Sequence, residues 1–119
     1  MHVIQISDIH LSPTHAFFLE NWRKAADFAN AANPDLVIVS GDLAINGPDE
    51  EKEIAFARAE LGRLKAPWKA FPGNHDVGDE PPGQDEKQLI DDDRLDRWRR
   101  HFGQDWWLHH GDGWRIVGL

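Results

Sequence analysis

Three short apolar runs constrain this chain more than any other feature. Val3-Ile4-Gln5-Ile6-Ser7, Leu36-Val37-Ile38-Val39-Ser40 and Trp68-Lys69-Ala70-Phe71-Pro72 each read as a β-strand. The segments between them carry helical periodicity. Phe18, Trp22, Ala25, Ala29 and Ala32 recur at alternating spacings of four and three, which is one apolar helical face. Asn33-Pro34-Asp35 ends that helix, because the residue before a proline is pushed away from helical angles. Asn46-Gly47-Pro48 then supplies turn chemistry, and the acidic Asp49-Glu50-Glu51 suits the positive end of a helix whose stripe is Ile54, Ala57, Leu61 and Leu64. The order β-α-β-α-β predicts an α/β fold with parallel strands joined by right-handed crossovers, connections of the length a parallel pair requires.

Beyond the third run, Val77 to Gln84 is rich in Gly, Pro and acid and reads as an exposed loop. Glu86 to Phe102 reads as a further helix with Leu95, Trp98 and Phe102 turned inward. Trp106-Trp107-Leu108-His109 and Trp114-Arg115-Ile116-Val117-Gly118-Leu119 flank Gly111-Asp112-Gly113, the pattern of a hairpin with a Gly-containing turn. At 119 residues the chain is one domain at most, small for an α/β enzyme with a complete site.

Each of the three runs is followed at once by residues that bind metals. Asp8-Ile9-His10 follows the first, Gly41-Asp42 the second and Gly73-Asn74-His75-Asp76 the third. All therefore lie at the carboxyl ends of strands, where open α/β sheets bind their ligands. Asp8 and His10 can converge on one cation, and Asp42 can offer one oxygen to each of two. The side-chain oxygen of Asn74 adds a neutral ligand. Two divalent ions roughly 3.5 to 4 Å apart can share a hydroxide, hold a phosphoryl group and neutralise the charge that builds during in-line attack. His75, pointing away from Asn74, suits a general acid for the leaving oxygen, with Asp76 orienting the ring. Gly41 and Gly73 let the backbone turn sharply close to the metals.

Composition removes several other chemistries. With no cysteine, disulfides, thiolate metal sites and cysteine nucleophiles are excluded. The remaining oxygen and imidazole ligands suit Mn, Fe, Zn or Mg. A formal net charge of -8 argues against nucleic-acid or anionic-membrane binding through a broad basic surface. The apolar runs are too short to span a bilayer, and the amino terminus enters a strand without the features of a secretory signal, so a cytoplasmic location is expected.

Together, Asp8-Ile9-His10, Gly41-Asp42 and Gly73-Asn74-His75-Asp76 resemble the first three blocks of the calcineurin-like metallophosphoesterase superfamily. The likeness runs from the first strand through Asp76, about two thirds of the chain. It implies that Asp8 and His10 bind the first metal, that Asp42 bridges, that Asn74 binds the second and that His75 acts on the leaving group. It also implies two divalent ions (Mn, Fe or Zn) and a small-molecule phosphoester substrate. The Ser7-Asp8-Ile9-His10-Leu11-Ser12 and Gly41-Asp42-Leu43-Ala44-Ile45-Asn46-Gly47 segments most resemble the branch with class III cyclic-nucleotide phosphodiesterases, which implies a phosphodiester such as a cyclic nucleotide. The superfamily pattern continues with a histidine after a further strand and a Gly-His-x-His block, and this sequence has neither. His109-His110 matches by residue type but precedes the strand that the missing histidine should follow. Residues 1–119 are thus expected to be the amino-terminal part of a single domain, a partial metallophosphoesterase sandwich: a mostly parallel sheet flanked by helices, a C-terminal hairpin, and the second half of the fold missing.

Single features have blander readings. Alone, Asp8-x-His10 is a surface pair and Gly41-Asp42 a turn; only their order on strand ends makes a site. His2, His15, His101 and His109-His110 read as surface or core-edge residues, with His15 the best of them for touching substrate. Arg97-Trp98-Arg99-Arg100 reads as a solvated helix end and Asp91-Asp92-Asp93 as a charged helical face, so no nucleic acid is expected. The six tryptophans read as core or as contacts for the missing half. The alternative function is a noncatalytic metal-binding or assembly module, self-associating through an open sheet edge. A nucleotide-binding Rossmann domain is more distant, since the Gly-x-Gly-x-x-Gly turn is absent.

Overall fold

The computed structural model describes residues 1–81 and 86–119. Three strands, β1 (Val3–Ile6), β2 (Leu36–Ser40) and β3 (Trp68–Phe71), form a parallel sheet in the order β1-β2-β3. Between them run α1 (Leu19–Ala32) and α2 (Glu51–Glu60), the second extended by a 3-10 turn at Leu61–Arg63. The expected β-α-β-α-β order is therefore present. The central strand reads as a continuous apolar run, and on the face it turns to the helices Val37 and Val39 are wholly buried, whereas Ile38 on the opposite face is only partly covered.

Register partners share a face, so Ile4, Val37 and Trp68 line up across the sheet, as do Ile6, Val39 and Ala70. This face meets Trp22, Ala26 and Ala29 of α1 and Ile54 and Ala57 of α2 in the main core. The two helices lie side by side, tied by Arg23 to Glu60 at 3.0 Å and by Asn30 to the Arg63 carbonyl at 2.9 Å. The second helix buries its expected stripe, Ile54, Ala57, Leu61 and Leu64. In the first, Trp22 and Ala29 are buried as expected, but two positions differ. Ala26 rather than Ala25 is fully buried, and Phe18 precedes the helix with its side chain 47% exposed. Asn33 ends α1 in the left-handed conformation (φ 46°), with its N–H on the Ala29 carbonyl at 3.1 Å. That is an αL stop placed just before proline.

The expected exposed loop at Val77 to Gln84 falls partly on 82–85, outside the described residues. Its first part departs from expectation, for Val77 and Gly78 are buried and Asp79 pairs with the 88–90 segment (Asp79 N to Gln88 O, 2.7 Å; Ile90 N to Asp79 O, 2.8 Å). The helix expected from Glu86 begins instead at Asp92, as α4 (Asp92–Phe102), after a 3-10 turn at Glu86–Gln88. Asp91 sets the boundary: its carboxylate accepts from the Arg94 N–H at 2.8 Å, an N-cap bond, and Asp92 and Asp93 follow in the first turn. The arginines of α4 act as structural ties rather than as a basic face. Arg94 reaches Asp49 at 3.0 Å, Arg97 donates to the Gly47 (3.2 Å) and Pro48 carbonyls, and Arg100 and His101 meet Glu51 at 3.1 and 3.0 Å. They clamp α4 onto the loop that follows β2 and onto the first residue of α2.

The hairpin stands apart from the sheet. β4 (Trp107–Gly111) and β5 (Trp114–Gly118) pair around a two-residue turn, Asp112-Gly113, with φ of 48° and 80°. Positive φ at both central residues is what a tight hairpin of right-twisted strands requires. Trp107 docks this hairpin: its indole donates to the Ala70 carbonyl of β3 at 3.0 Å, and its ring fills the space over Gly118. The β3 edge is thus blunted by a side chain. Trp22, Trp98 and Trp107 are core residues, whereas Trp106 and Trp114 are exposed. No helix among the described residues is long and apolar enough to cross a membrane.

Candidate metal centre

The sheet ends at Ile6 and Ser40, but the loops beyond β1 and β2 stay side by side. Asp8 N bonds Gly41 O at 3.2 Å, His10 N bonds Asp42 O at 3.0 Å and Leu11 N bonds Leu43 O at 2.7 Å. Within this ladder the backbone turns left-handed at Asp8 (φ 57°), His10 (φ 43°), Gly41 (φ 81°) and Asp42 (φ 53°). Such angles cost an L-residue roughly 1–2 kcal/mol, and Asp, Asn and His tolerate them best. Their effect is convergence: one ligand atom each from Asp8, His10 and Asp42 lie within 4.8 Å of one another.

The third signature packs against the second. Gly73 must lack a side chain, because a Cβ there would fall on the Asp42 carboxylate and lie 2.6 Å from its backbone nitrogen. The next turn, α3 (Asn74–Val77), sends the His75 N–H to Asp42 Oδ1 at 3.0 Å. Asn74 opens this turn exposed, with its amide nitrogen donating to Asp79 Oδ1 at 2.9 Å. That bond uses the amide nitrogen, the end of the side chain opposite the oxygen a metal would take. Asp79, which holds Asn74, lies in the sequence inside an acidic loop that gives no sign of this contact.

Segment 43–45 organises the rest. Its carbonyls orient both imidazoles, with His10 Nδ1 3.3 Å from Ala44 O and His75 Nδ1 2.6 Å from Ile45 O. A carbonyl partner requires the proton on Nδ1. For His10 this leaves Nε2, 3.9 Å from Asp8 Oδ1, free to ligate. For His75 it leaves Nε2 as the proton-exchanging atom. The two rings meet edge to face at 4.7 Å.

The amides of the same segment bind Asp76, whose place differs from that expected. Asp76 does not orient the His75 ring; Ile45 does. The Asp76 side chain is 1% exposed and accepts from Leu43 N (3.0 and 3.2 Å), Ala44 N (2.8 Å) and Gly73 N (2.9 Å). It holds the second and third signatures together from beneath. Burial pushes its carboxyl up to about 6, the amides of Gly73, Ala44 and Leu43 pull it back, and the charge of Asp42 adds to the rise.

A divalent cation fits this donor set. Two carboxylates and an imidazole with its second nitrogen already engaged suit hard or borderline ions. Among the described residues no lysine or arginine is paired with Asp8 or Asp42, so protein cations leave those charges uncompensated. His109 and His110 do not join the cluster; they sit in β4, opposite Ile116 and Arg115. His15 lies at the margin, bonded to Thr14 Oγ1 at 3.1 Å.

The fold and site together define an α/β chain with a candidate divalent-metal centre on the carboxyl edge of a parallel sheet. Comparison with known proteins agrees. A family model described as calcineurin-like phosphoesterase matches residues 1–117, and the chain belongs to that family. It is 33% identical over 82 residues to a probable cyclic nucleotide phosphodiesterase of Moraxella catarrhalis, a match covering 64% of this chain and 27% of that protein. It is 38% identical over 84 residues to a glycerophosphodiester phosphodiesterase of Enterobacter lignolyticus, covering 64% and 30%. An uncharacterized metallophosphoesterase of Bacillus subtilis is 35% identical over 78 residues, covering 64% and 26%. The matched region therefore spans under a third of each of these relatives.

Proposed function

We propose that these residues form the amino-terminal part of a metal-dependent phosphoesterase domain that hydrolyses phosphodiesters at a centre of two divalent ions. The observation that carries this reading is the convergence of Asp8, His10 and Asp42. Family membership and the phosphodiesterase names of two relatives support the reaction class. One of those names points to cyclic nucleotides and the other to glycerophosphodiesters, and we favour the first.

Asp8 and His10 would hold one ion, Asp42 would bridge and Asn74 would serve the other. Bound there, Mn, Fe or Zn would supply Lewis-acid charge to the phosphoryl oxygens and to an attacking water. The rest is the work of this chain's own groups. The Ile45 carbonyl holds the Nδ1–H of His75, so Nε2 can carry a proton to the departing alkoxide. The His75 N–H fixes the Asp42 carboxylate on its Oδ1 side.

The test is metal-dependent hydrolysis of bis(4-nitrophenyl) phosphate by the full chain in Mn2+, with the Asp42→Asn variant alongside. Outer-shell partners of a metal are worth 10- to 100-fold, so loss of the bridge should cost at least about 100-fold. Absence of metal-dependent activity toward both monoesters and diesters in the wild type would defeat the proposal. A second reading, one bound ion without turnover, is favoured by the convergence of three ligand groups, Asp8, His10 and Asp42, enough to hold a single ion. Metal analysis separates the two, since two ions per chain fit only the first.

A further inference from the structure

We propose that the loop between β1 and α1 forms a subsite for a planar aromatic group on the esterified alcohol, such as the base of a nucleoside. This deepens the phosphodiesterase reading and rests on it. The observation is a continuous ladder of rings leading outward from the candidate centre. His75 meets His10 at 4.7 Å, His10 meets Phe18 at 6.0 Å, Phe18 meets Phe17 at 6.3 Å and Phe17 meets His15 at 5.9 Å.

The two phenylalanines have little core to serve. Phe17 is 76% and Phe18 47% exposed, although Phe18 carries the spacing of the α1 apolar face. The loop beneath them is pinned. Ser12 is 2% exposed, and its hydroxyl accepts from the N–H groups of Thr14 (3.2 Å) and His15 (3.1 Å). The rings are thus presented on a fixed turn beside the site.

A cleft of about 210 Å³ opens next to them, lined by Thr14, His15, Phe17, Ile45, Asn46 and Lys52. Ile45 lines it, and the carbonyl of that residue holds His75, so one residue separates the cleft from the group assigned to the leaving oxygen. Drug-sized ligands occupy roughly 300 to 1,000 Å³, so this space suits a single ring system. Its charge is also wrong for a second phosphate. Lys52 is already paired with Glu50 at 3.3 Å, and Glu53 lines the same cleft. A neutral ring stacked on Phe17, which Phe18 backs, fits, and stacking on an aromatic side chain is worth about 5- to 150-fold in affinity per base.

The test compares the Mn2+-loaded full chain with its Phe17→Ala/Phe18→Ala variant on 3′,5′-cyclic AMP and on glycerophosphoethanolamine. The ratio of kcat/KM, nucleotide over glycerol diester, should fall at least about 5-fold, chiefly through KM. Phe17→Trp/Phe18→Trp should keep it. Equal loss on both substrates, or no change in the ratio, overturns the proposal. Adenosine binding to the metal-free chain, read by saturation-transfer NMR, is measured in parallel. If the wild type hydrolyses no diester, the phosphoesterase reading fails separately, and the subsite is judged on binding alone. Adenosine binding that disappears in the double alanine variant then supports it, and binding that is absent from the wild type or equal in the two proteins overturns it.

Discussion

Asp76→Asn is the substitution that best separates the forces in the site. The change keeps the shape of the side chain and replaces one acceptor oxygen by an NH2 donor. With the amide oxygen in the Oδ1 position, the N–H groups of Leu43 and Ala44 keep their acceptor and that of Gly73 loses its own. An orphaned buried N–H costs about 1–3 kcal/mol, and loss of charge assistance adds to this. The penalty should depend on pH with a definite sign. The folded carboxyl sits near 6, above its ordinary 3.8, so the folded state holds the proton more tightly. Wild-type stability from this group is therefore greatest in acid and is lost as pH rises through 6. At 1.36 kcal/mol per pK unit, about 2 to 3 kcal/mol disappears between pH 4 and pH 7. Asparagine does not titrate, so its penalty should shrink by that amount over the same range. Urea denaturation of both proteins in chelator, at several pH values, measures it. Taking the difference between the two cancels the opposite contributions of Asp49, Glu51 and Glu60, whose carboxyls are held below the ordinary range by hydrogen-bonded partners. A penalty that is flat or grows with pH would refute the reasoning, for the amide donors would then outweigh burial and the carboxylate would be welcome.

Other substitutions probe other parts. Gly73→Ala places a methyl group on the Asp42 carboxylate and should cost at least about 1–3 kcal/mol, with weaker Mn2+ binding by calorimetry; unchanged binding would contradict the packing described. Asp8→Gly removes an exposed ligand and relieves a left-handed angle, so stability in chelator should stay within about 1 kcal/mol of the wild type. The wild type should gain about 2.7 kcal/mol at a metal concentration 100 times its Kd, and this variant should lose most of that gain. Trp107→Phe deletes the bond to the Ala70 carbonyl, for an expected loss of about 0.5–1.5 kcal/mol by urea denaturation. It also unblocks the β3 edge, so light scattering should show more self-association, and an unchanged monomer would count against a blunting role.

The succession of elements along the chain was legible because period and length carry it: the three runs are short, apolar and separated by helix-length segments. The candidate cluster of Asp8, His10 and Asp42 was legible for a related reason, since Asp and His at strand ends are residue types that offer the needed atoms. The orientation of the rings was not. It comes from the carbonyls of Ala44 and Ile45, and every residue type carries a carbonyl. Asp76 was misplaced for the same reason. Its partners are backbone amides, so nothing in the side chains of Leu43 or Ala44 announces them. The start of α4 was drawn too early because Leu95, Trp98 and Phe102 fix a face and leave its first turn open. There the Asp91 cap decides, and three consecutive aspartates do not say which of them caps.

The distribution of backbone strain supports the metal reading independently of family likeness. Among the described residues, five that are not glycine have positive φ. Asn33 ends a helix before a proline and Asp112 makes a hairpin turn, so local chemistry accounts for both. The other three are Asp8, His10 and Asp42, the residues whose ligand atoms converge. No tight turn asks for these angles. The loops there run parallel, bonded through Asp8 N, His10 N and Leu11 N, and a plain extended continuation of the sheet would satisfy the Asp8 and His10 amides at less cost, while turning the Leu11 N–H to the other side. It would also alternate Asp8 and His10 with Ile9 in the pleat and keep Asp42 from turning toward them. The left-handed steps break that alternation. What they secure is a cluster of two carboxylates and an imidazole, repulsive between its carboxylates until a cation joins it.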